Sequence, residues 1–448
     1  MPLLTRIDVT ADDPTPQPPR RGGGLDAEVL GVAQRVIDEV RMRGDEALLE
    51  YTAKFDGCEL GSAGIPVSDE EIAEAVASAD PELVEALANA AVAIEEFHRR
   101  QVQQSWFSTE EGGIFVGQKV TAIPRVGIYI PGGRASYPST VLMNAIPALV
   151  AGVDEIAMVV PPAADGTVPA AVLVAAAEVG VREIYKAGGA QAVAALAYGT
   201  ETIPAVDKIT GPGNAYVTAA KKLVMGDVGI DMLAGPSEVL VLADSSADAE
   251  FVAIDLMAQA EHDPRAAVYL VTTEPELVGE VEEALERLIA ESPRAEVISA
   301  SIRDNGIAWV CEDVATAVDI VNTVAPEHLE VMMEDPFEML GAIRNAGAIF
   351  LGAWTPESVG DYVAGPNHTL PTGGTARFSG PLSVDDFVKK SSVICYSPEA
   401  LEADGPTILT IAEAEGLAAH ARAVSLRLDR IVEMEAEDLD IIIGDEDA

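Results

Sequence analysis

The sequence predicts an α/β protein built on two parallel sheets, and three observations predict it. Short apolar runs of strand length recur from Arg125 onward and end in Gly or Pro, segments of helical periodicity separate them, and a second series of the same kind begins near Ser237. Strands that alternate with helices give parallel βαβ units covered on both faces. With 448 residues, 49% of them hydrophobic, the chain can bury a large core and form two or more domains.

In chain order, Asp12 to Gly24 is rich in Pro and Gly and reads as an extended, mobile lead-in. Apolar residues then recur at helical spacing over Leu25–Phe55, as in Val29, Val32, Val36, Ile37 and Val40, and again over Pro81–Gln101. His98 sits there in EEFHRR and reads as a solvated surface residue. Strand runs follow in VGIYIPGG (126–133), EIAMVVPP (155–162), REIYKAGG (182–189), DKITGPG (207–213) and SEVLVLAD (237–244). Helical stretches such as Val168–Val179 and Asn214–Val224 stand between them. The uncharged stretch Ala135–Val153 holds Pro and Asn that a lipid-spanning helix does not tolerate, so it reads as a buried helix and its turn. The second series runs through a helix over Asp248–His262, the strands AAVYLVTT (266–273), GIAWVCED (306–313) and AGAIFLG (346–352), and a helix that ends near Ile289. Trp354–Ser383, with its glycines and prolines, reads as a shaped loop, and Pro398–Glu435 as helical before an acidic tail.

Charge narrows the partners. Asp and Glu number 74 against 28 Lys and Arg, a formal charge of −46, so no broad basic surface is available for nucleic acid or an anionic membrane. Lys is scarce beside Arg. An acidic, Lys-poor surface on a chain of ordinary apolar content suits concentrated salt, which predicts a halophilic cytoplasm. Cys58, Cys311 and Cys395 are widely separated, without the spacing of a disulfide framework or a thiolate zinc site, and the first residues lack the pattern of a signal peptide. Both features predict a reducing, cytoplasmic location.

Few residues are equipped for chemistry. Gln259 and His262 lie three apart at the expected end of a helix, where both side chains can project toward one metal ion, or His262 can simply face the helix dipole. In APEHLEV, Glu327 and His328 occupy a turn before a strand, where a near-neutral His can accept a proton from an alcohol and a carboxylate can take one from water. Asp361 and His368 in the shaped loop could each serve a divalent cation, and Glu415 and His420 on the C-terminal helix could flank a ligand. The Gly-rich turns PGGRASYPS (131–139), AGGAQA (187–192), TGPGNAY (210–216) and AGPSEV (234–239) fall beside strand ends, which suggests a cofactor crevice. No G-x-G-x-x-G follows a strand; GPGN at 211–214 lacks the third glycine, so a dinucleotide would be held in another way.

With VGIYIPGGRASYPSTVLM, GGAQAVAALAYGTETIP, DKITGPGNAYVTAAK, AGPSEVLVLAD, AQAEHD, PEHLEV, GDYVAGPNHTLPT and AEAEGLAAHARAVSLR in one order, the chain resembles the histidinol dehydrogenase family from about Leu25 to about Leu428. The resemblance implies two incomplete Rossmann-like parallel-sheet domains with additional N-terminal and C-terminal helical segments. The expected partition is a lead-in (1–24), a helical part joining the second domain (25–125), a first domain carrying the NAD turns (126–236), a second with zinc and base (237–385), and a C-terminal extension reaching a partner subunit (386–448). It further implies zinc on Gln259, His262, Asp361 and His420, with L-histidinol completing the shell. His328 would be the general base and Glu327 the carboxylate that activates water. Ser237 and Glu415 would contact substrate together with Gln259, His262, Glu327, His328, Asp361 and His420, and His368 would lie nearby. Tyr129, Gln191 and Asn214 would contact NAD.

The implied reaction is the oxidation of L-histidinol through L-histidinaldehyde to L-histidine, the final step of histidine biosynthesis, in a homodimer that shares its active sites. Two other readings remain: a dehydrogenase of the same family acting on another primary alcohol, and a zinc hydrolase in which Glu327 and His328 activate metal-bound water.

Overall fold

A computed structural model describes residues 2–13, 15, 26–110, 112–132 and 136–444, with side chains to 434. Positions 16–24 of the expected lead-in, the tip of the turn at 133–135 and the end of the acidic tail lie outside the described residues. The chain divides into two compact units, 1–102 with 122–387, and 103–121 with 388–448. Among the described residues no helix is long and apolar enough to cross a membrane.

The elements are β1 (Thr5–Val9), α1 (Ala27–Arg43), α2 (Asp45–Asp56), α3 (Asp69–Ser78), α4 (Pro81–Arg99), β2 (Trp106–Glu110), β3 (Ile114–Ala122), β4 (Arg125–Tyr129), α5 (Pro138–Ala151), β5 (Glu155–Val160), α6 (Ala170–Glu178), β6 (Glu183–Lys186), α7 (Gly189–Tyr198), β7 (Lys208–Thr210), α8 (Ala215–Val224) and β8 (Gly229–Ile230). They continue with β9 (Glu238–Ala243), α9 (Ala249–Ala260), β10 (Ala267–Thr272), α10 (Pro275–Glu291), α11 (Ala295–Asn305), β11 (Gly306–Cys311), α12 (Val314–Val324), β12 (His328–Met332), β13 (Ala348–Leu351), α13 (Glu357–Tyr362), β14 (Val388–Tyr396), α14 (Pro398–Ala414) and α15 (Ala418–Gly444).

The first unit holds both parallel sheets. One has the order β6-β5-β4-β7-β8, with Ile128 of β4 opposite Met158 and Thr210. The other has the order β1-β11-β10-β9-β12-β13, with β9 at its centre and Leu240 opposite Tyr269 and Leu329. Because side chains alternate along a strand, each sheet feeds two cores. Ile128, Met158 and Val160 enter one core of the first sheet, while Tyr129, Ala157 and Val159 enter the other. In the second sheet Val239 and Val241 oppose Leu240 and Leu242 in the same way.

The N-terminal helices are placed differently from the expectation for 25–125. Val36, Ile37, Val40 and Leu48 of α1 and α2 complete one core of the first sheet, and Ile72, Leu87, Ala90 and Ile94 of α3 and α4 complete the other. What joins the second sheet is β1, inside the span 1–24 expected to be a lead-in, by pairing with β11. A five-residue strand preceding a Pro-rich run gives little periodicity to read. His98 also departs from its surface reading: it is fully buried, its Nδ1 lies 2.9 Å from the carbonyl O of Ile94, and its Nε2 lies 3.4 Å from Asn367 Nδ2. The spacing Leu87, Ala90, Ile94, His98 puts it on the apolar face of α4 in spite of its charged neighbours.

The second unit contains a three-stranded sheet, β14-β3-β2, whose β2–β3 pair is antiparallel, and the helices α14 and α15, which pack on each other. Thus the segment 386–448, expected to be helical, contributes a nine-residue strand first.

Candidate active site

The turn between α12 and β12 sets the first part of the site. Ala325 closes α12 at φ +51°, the sole non-glycine residue with positive φ among the described residues, a conformation that costs an L-residue energy and is retained where surroundings enforce it. The carbonyls of Pro326 and Glu327 accept the N–H groups of Gly347 and Ala348 at 2.8 and 2.9 Å, which pins the turn to the start of β13. So held, neighbouring Glu327 and His328 both turn to the backbone of Glu238 at the start of β9. Glu327 Oε2 accepts the Glu238 N–H at 2.9 Å, and His328 Nδ1 lies 3.3 Å from the Glu238 carbonyl O. A carbonyl can only accept, which assigns the proton to Nδ1 and leaves Nε2 bare. That Nε2 is buried without a hydrogen-bond partner, 3.8 Å from Glu357 Oε1. Burial pushes the His328 pKa down to about 3, so the ring is neutral at physiological pH.

The second part comes from α9 and α13, which pack together. His262 lies just beyond the C-cap of α9, and Gln259, one turn earlier, is buried with its Oε1 unpartnered. The shaped loop at Trp354–Ser383 contains the short helix α13, in which Glu357 and Asp361 are four residues apart and share a face. Ligand atoms of His262, Glu357 and Asp361 all lie within 4.8 Å of one another. His368 Nδ1 stands 3.1 Å from the Asp361 carbonyl O, and its Nε2 3.5 Å from Thr140 Oγ1.

The site is rich in acids and poor in cations. Burial pushes Asp361 up to about 6 and holds Glu327 and Glu357 well above the usual carboxylate range, against the lowering effect of the Glu238 N–H on Glu327. Among the described ion pairs, these three carboxylates meet only histidines. Buried Glu357 Oε2, Gln259 Oε1 and His328 Nε2 have no partner. Nitrogen and oxygen donors around an uncompensated buried negative charge are what a divalent cation satisfies, and the donor set fits zinc.

Sequence reading did not single out Glu357. The signal was present in ESVGD, an i, i+4 acid pair, and becomes legible once that stretch is read as a helix. Ser237 is half-buried immediately before β9. Glu415 at the C-cap of α14 and His420 in the first turn of α15 are exposed and belong to the second unit. A cavity of about 540 Å³ adjoins the cluster, lined among others by Leu87, Tyr137, His262, Arg294 and Tyr362.

The three residues expected at a cofactor share another cavity, of about 650 Å³. Tyr129, at the carboxyl end of β4, accepts the Gly189 N–H through its hydroxyl at 3.0 Å. Gln191 is fully buried on α7 with Oε1 unpartnered, and Asn214 caps α8 by accepting the N–H groups of Tyr216 and Val217 at 3.0 and 3.2 Å. β4 and β7 mark the point where strand order reverses in the first sheet, the usual position of a ligand crevice. In the second sheet, by contrast, Ser237, Glu327 and His328 gather at the amino ends of β9 and β12.

A doubly cored parallel-sheet unit with a cofactor-sized cavity on one sheet and a histidine–carboxylate cluster on the other defines an α/β enzyme. A sequence model of histidinol dehydrogenase matches residues 20–428, and the chain belongs to the histidinol dehydrogenase family of oxidoreductases. The histidinol dehydrogenase of Syntrophotalea carbinolica is 56% identical over 393 residues, 88% of this chain and 91% of that protein. That of Bacillus subtilis is 53% identical over 396 residues, 88% of this chain and 92% of the relative. The crystal structure of histidinol dehydrogenase from Elizabethkingia anophelis superposes with a TM-score of 0.89 at 38% identity, covering 96% of this chain and 99% of that one.

Proposed function

We propose that this oxidoreductase carries out the zinc-dependent, NAD-linked, four-electron oxidation of L-histidinol to L-histidine by way of L-histidinaldehyde, the final step of histidine biosynthesis. The observation that carries the reading is the neutral His328, with a bare buried Nε2, set beside the cation-ready cluster of His262, Glu357 and Asp361. Gln259, His262 and Asp361 would hold zinc with His420 of the partner subunit, in a homodimer whose sites also use Glu415 of the partner subunit. The bound ion would anchor the substrate's imidazole and amino nitrogens and offset the buried carboxylates. NAD along Tyr129, Gln191 and Asn214 would accept a hydride at each oxidation.

The chain's own residues then divide the proton work. His328 Nε2 takes the hydroxyl proton of the alcohol and, in the second oxidation, that of the hydrated aldehyde; the Glu238 carbonyl holds the tautomer this requires. Glu327, buried and fixed by the Glu238 N–H, takes a proton from the water that hydrates the aldehyde. Ser237 contacts the substrate, and His368 steadies Asp361 through its carbonyl. Retaining a reactive aldehyde in one closed site protects it from solvent between steps. Free Cys58, Cys311 and Cys395 suit a reducing cytoplasm.

The test is to incubate zinc-loaded protein with L-histidinol and NAD in molar KCl and count NADH formed per histidinol consumed. Two per substrate, abolished by a chelator, is the expected result. One per substrate, or none with fold and zinc intact, overturns the proposal.

A further inference from the structure

Two buried acids stand beside the proposed metal site with no part in the proton work assigned above. Glu330 lies on β12 two residues beyond His328, so both side chains leave the same face of the strand, opposite to Leu329 and Val331. Met332, on that face too, packs in the core with Leu256 and Met257 of α9. There Glu330 meets Asp255, which sits on α9 one turn before Gln259. Both acids are buried. A carboxyl group inside a core strand is costly unless its polar atoms are engaged, and Glu330 engages one of them.

That contact crosses to a third element. Glu330 Oε1 accepts the N–H of Glu357 at 2.8 Å in a buried hydrogen bond. Glu357 is the first residue of α13, and the opening N–H groups of a helix have no partner inside it. The N-cap of α13 is Pro356, whose side chain cannot accept, so the cap comes from β12 instead. The helix is also closely seated, since a Cβ added at Gly360 would stand 2.6 Å from Phe350 Cε1 on β13. Burial and the neighbouring Asp255 carboxyl hold Glu330 well above the usual carboxylate range, so at physiological pH it serves as a neutral acceptor rather than as a charge.

We propose that Glu330 is a positioning residue, which caps α13 from β12 and thereby sets Glu357 and Asp361 against His262. Because Asp255 abuts the same carboxyl, the strand carrying His328, the helix carrying Gln259 and the helix carrying Asp361 are registered at one buried point. A metal ion placed there would meet donors whose spacing is fixed before it arrives.

The inference rests on the reading of His262 and Asp361 as metal ligands, and the experiment separates the two. Glu330→Gln keeps the reach and the acceptor but not the acid, whereas Glu330→Asp keeps the acid but draws the acceptor back by a methylene. Zinc affinity would be measured against a competing chelator, and amide exchange across α13 followed in the zinc-free proteins by mass spectrometry. Glu330→Gln should bind zinc like the unaltered chain and protect the Glu357 amide equally. Glu330→Asp should bind zinc about 10-fold more weakly and exchange faster at α13. A role for the acid itself predicts the opposite order of the two variants. Zinc affinity and exchange unchanged in Glu330→Asp, or equal losses in both variants, overturn the proposal. Rapid exchange of the Glu357 amide in the unaltered chain overturns it even if Glu330→Asp does not fold. Zinc binding that ignores both His262→Asn and Asp361→Asn overturns the metal reading instead, and the exchange comparison still decides whether Glu330 caps α13.

Discussion

Lys221→Met tests how the turn at Gly211 is held. Lys221 and Asp231 form an ion pair beneath the turn at Gly211, with side chains only 3% and 1% exposed. Lys221 Nζ also donates to the Gly211 carbonyl at 2.8 Å, and the Gly211 N–H donates to Asp231 Oδ2 at 2.8 Å, so the pair grips the two successive peptide units that flank the Gly211 Cα. Gly211 itself has φ +111°, and a Cβ there would stand 2.2 Å from the Tyr129 carbonyl, which leaves no other residue for the position. Methionine preserves the length and apolar stem of the lysine but strands the Asp231 carboxylate in the interior, and removing one member of a buried pair costs about 3–5 kcal/mol. That is a large part of the roughly 5–15 kcal/mol by which folded domains are usually stable. Urea unfolding in molar KCl should show a large fall in midpoint, and KM for NAD should rise because Asn214 hangs from the same turn. The double variant Lys221→Met with Asp231→Asn, which removes the stranded charge, should recover more than half of the loss. A single variant within about 1 kcal/mol of the parent, with KM unchanged, would refute a clamp formed by this pair.

Other outcomes follow from the site and the surface. His328→Asn should lose both oxidations by roughly 10²–10⁴-fold, the usual contribution of a general base, whereas Glu327→Gln should slow mainly the conversion of histidinaldehyde; equal losses on histidinol and histidinaldehyde would contradict the division of roles. Asp255 and Glu330 are neighbouring buried acids, and burial raises both pKa values, so their contribution to stability is full below the ordinary carboxylate range of about 4 and falls as pH rises through the raised values. Glu330→Gln, which stays neutral, should therefore flatten the decline of thermal midpoint between weakly acidic and alkaline pH; an unchanged slope would exclude the pair as its source. With a formal charge of −46, fold and activity should decline as KCl is lowered from molar to millimolar, since the screening length grows from about 3 Å to tens of ångströms and exposes the self-repulsion; a midpoint indifferent to salt would discard the halophilic reading.

How much of the site was legible depended on where each residue stood. Gln259 and His262 could be placed near one another from the sequence because helical spacing is a local geometric fact, although α9 ends at Ala260 and leaves His262 just beyond its cap rather than on its last turn. Glu327 and His328 were recognisable as a turn before a strand, yet their convergence depends on the left-handed Ala325 and on the Glu238 backbone, a partner about ninety residues away. Glu357 escaped because six helical residues inside a Gly- and Pro-rich segment carry too short a period to recognise. His98 escaped because its charged neighbours outweighed the one face of α4 that decides burial.

The sequence by itself determined the α/β class, the strand runs of both sheets, the glycine turns beside the strand ends and the strongly acidic charge balance. Each is written in local periodicity, in backbone freedom at glycine, or in a sum over charges, none of which needs a distant partner. The tertiary structure decided which sheet the N-terminal helices cover, that β1 adds an edge to the other sheet, and that the end of α9, the turn before β12 and α13 bring histidines and carboxylates together. Those outcomes depend on long-range packing, where the free energy of burying one apolar face against another, and of desolvating a charge beside it, is set by residues far apart in the chain.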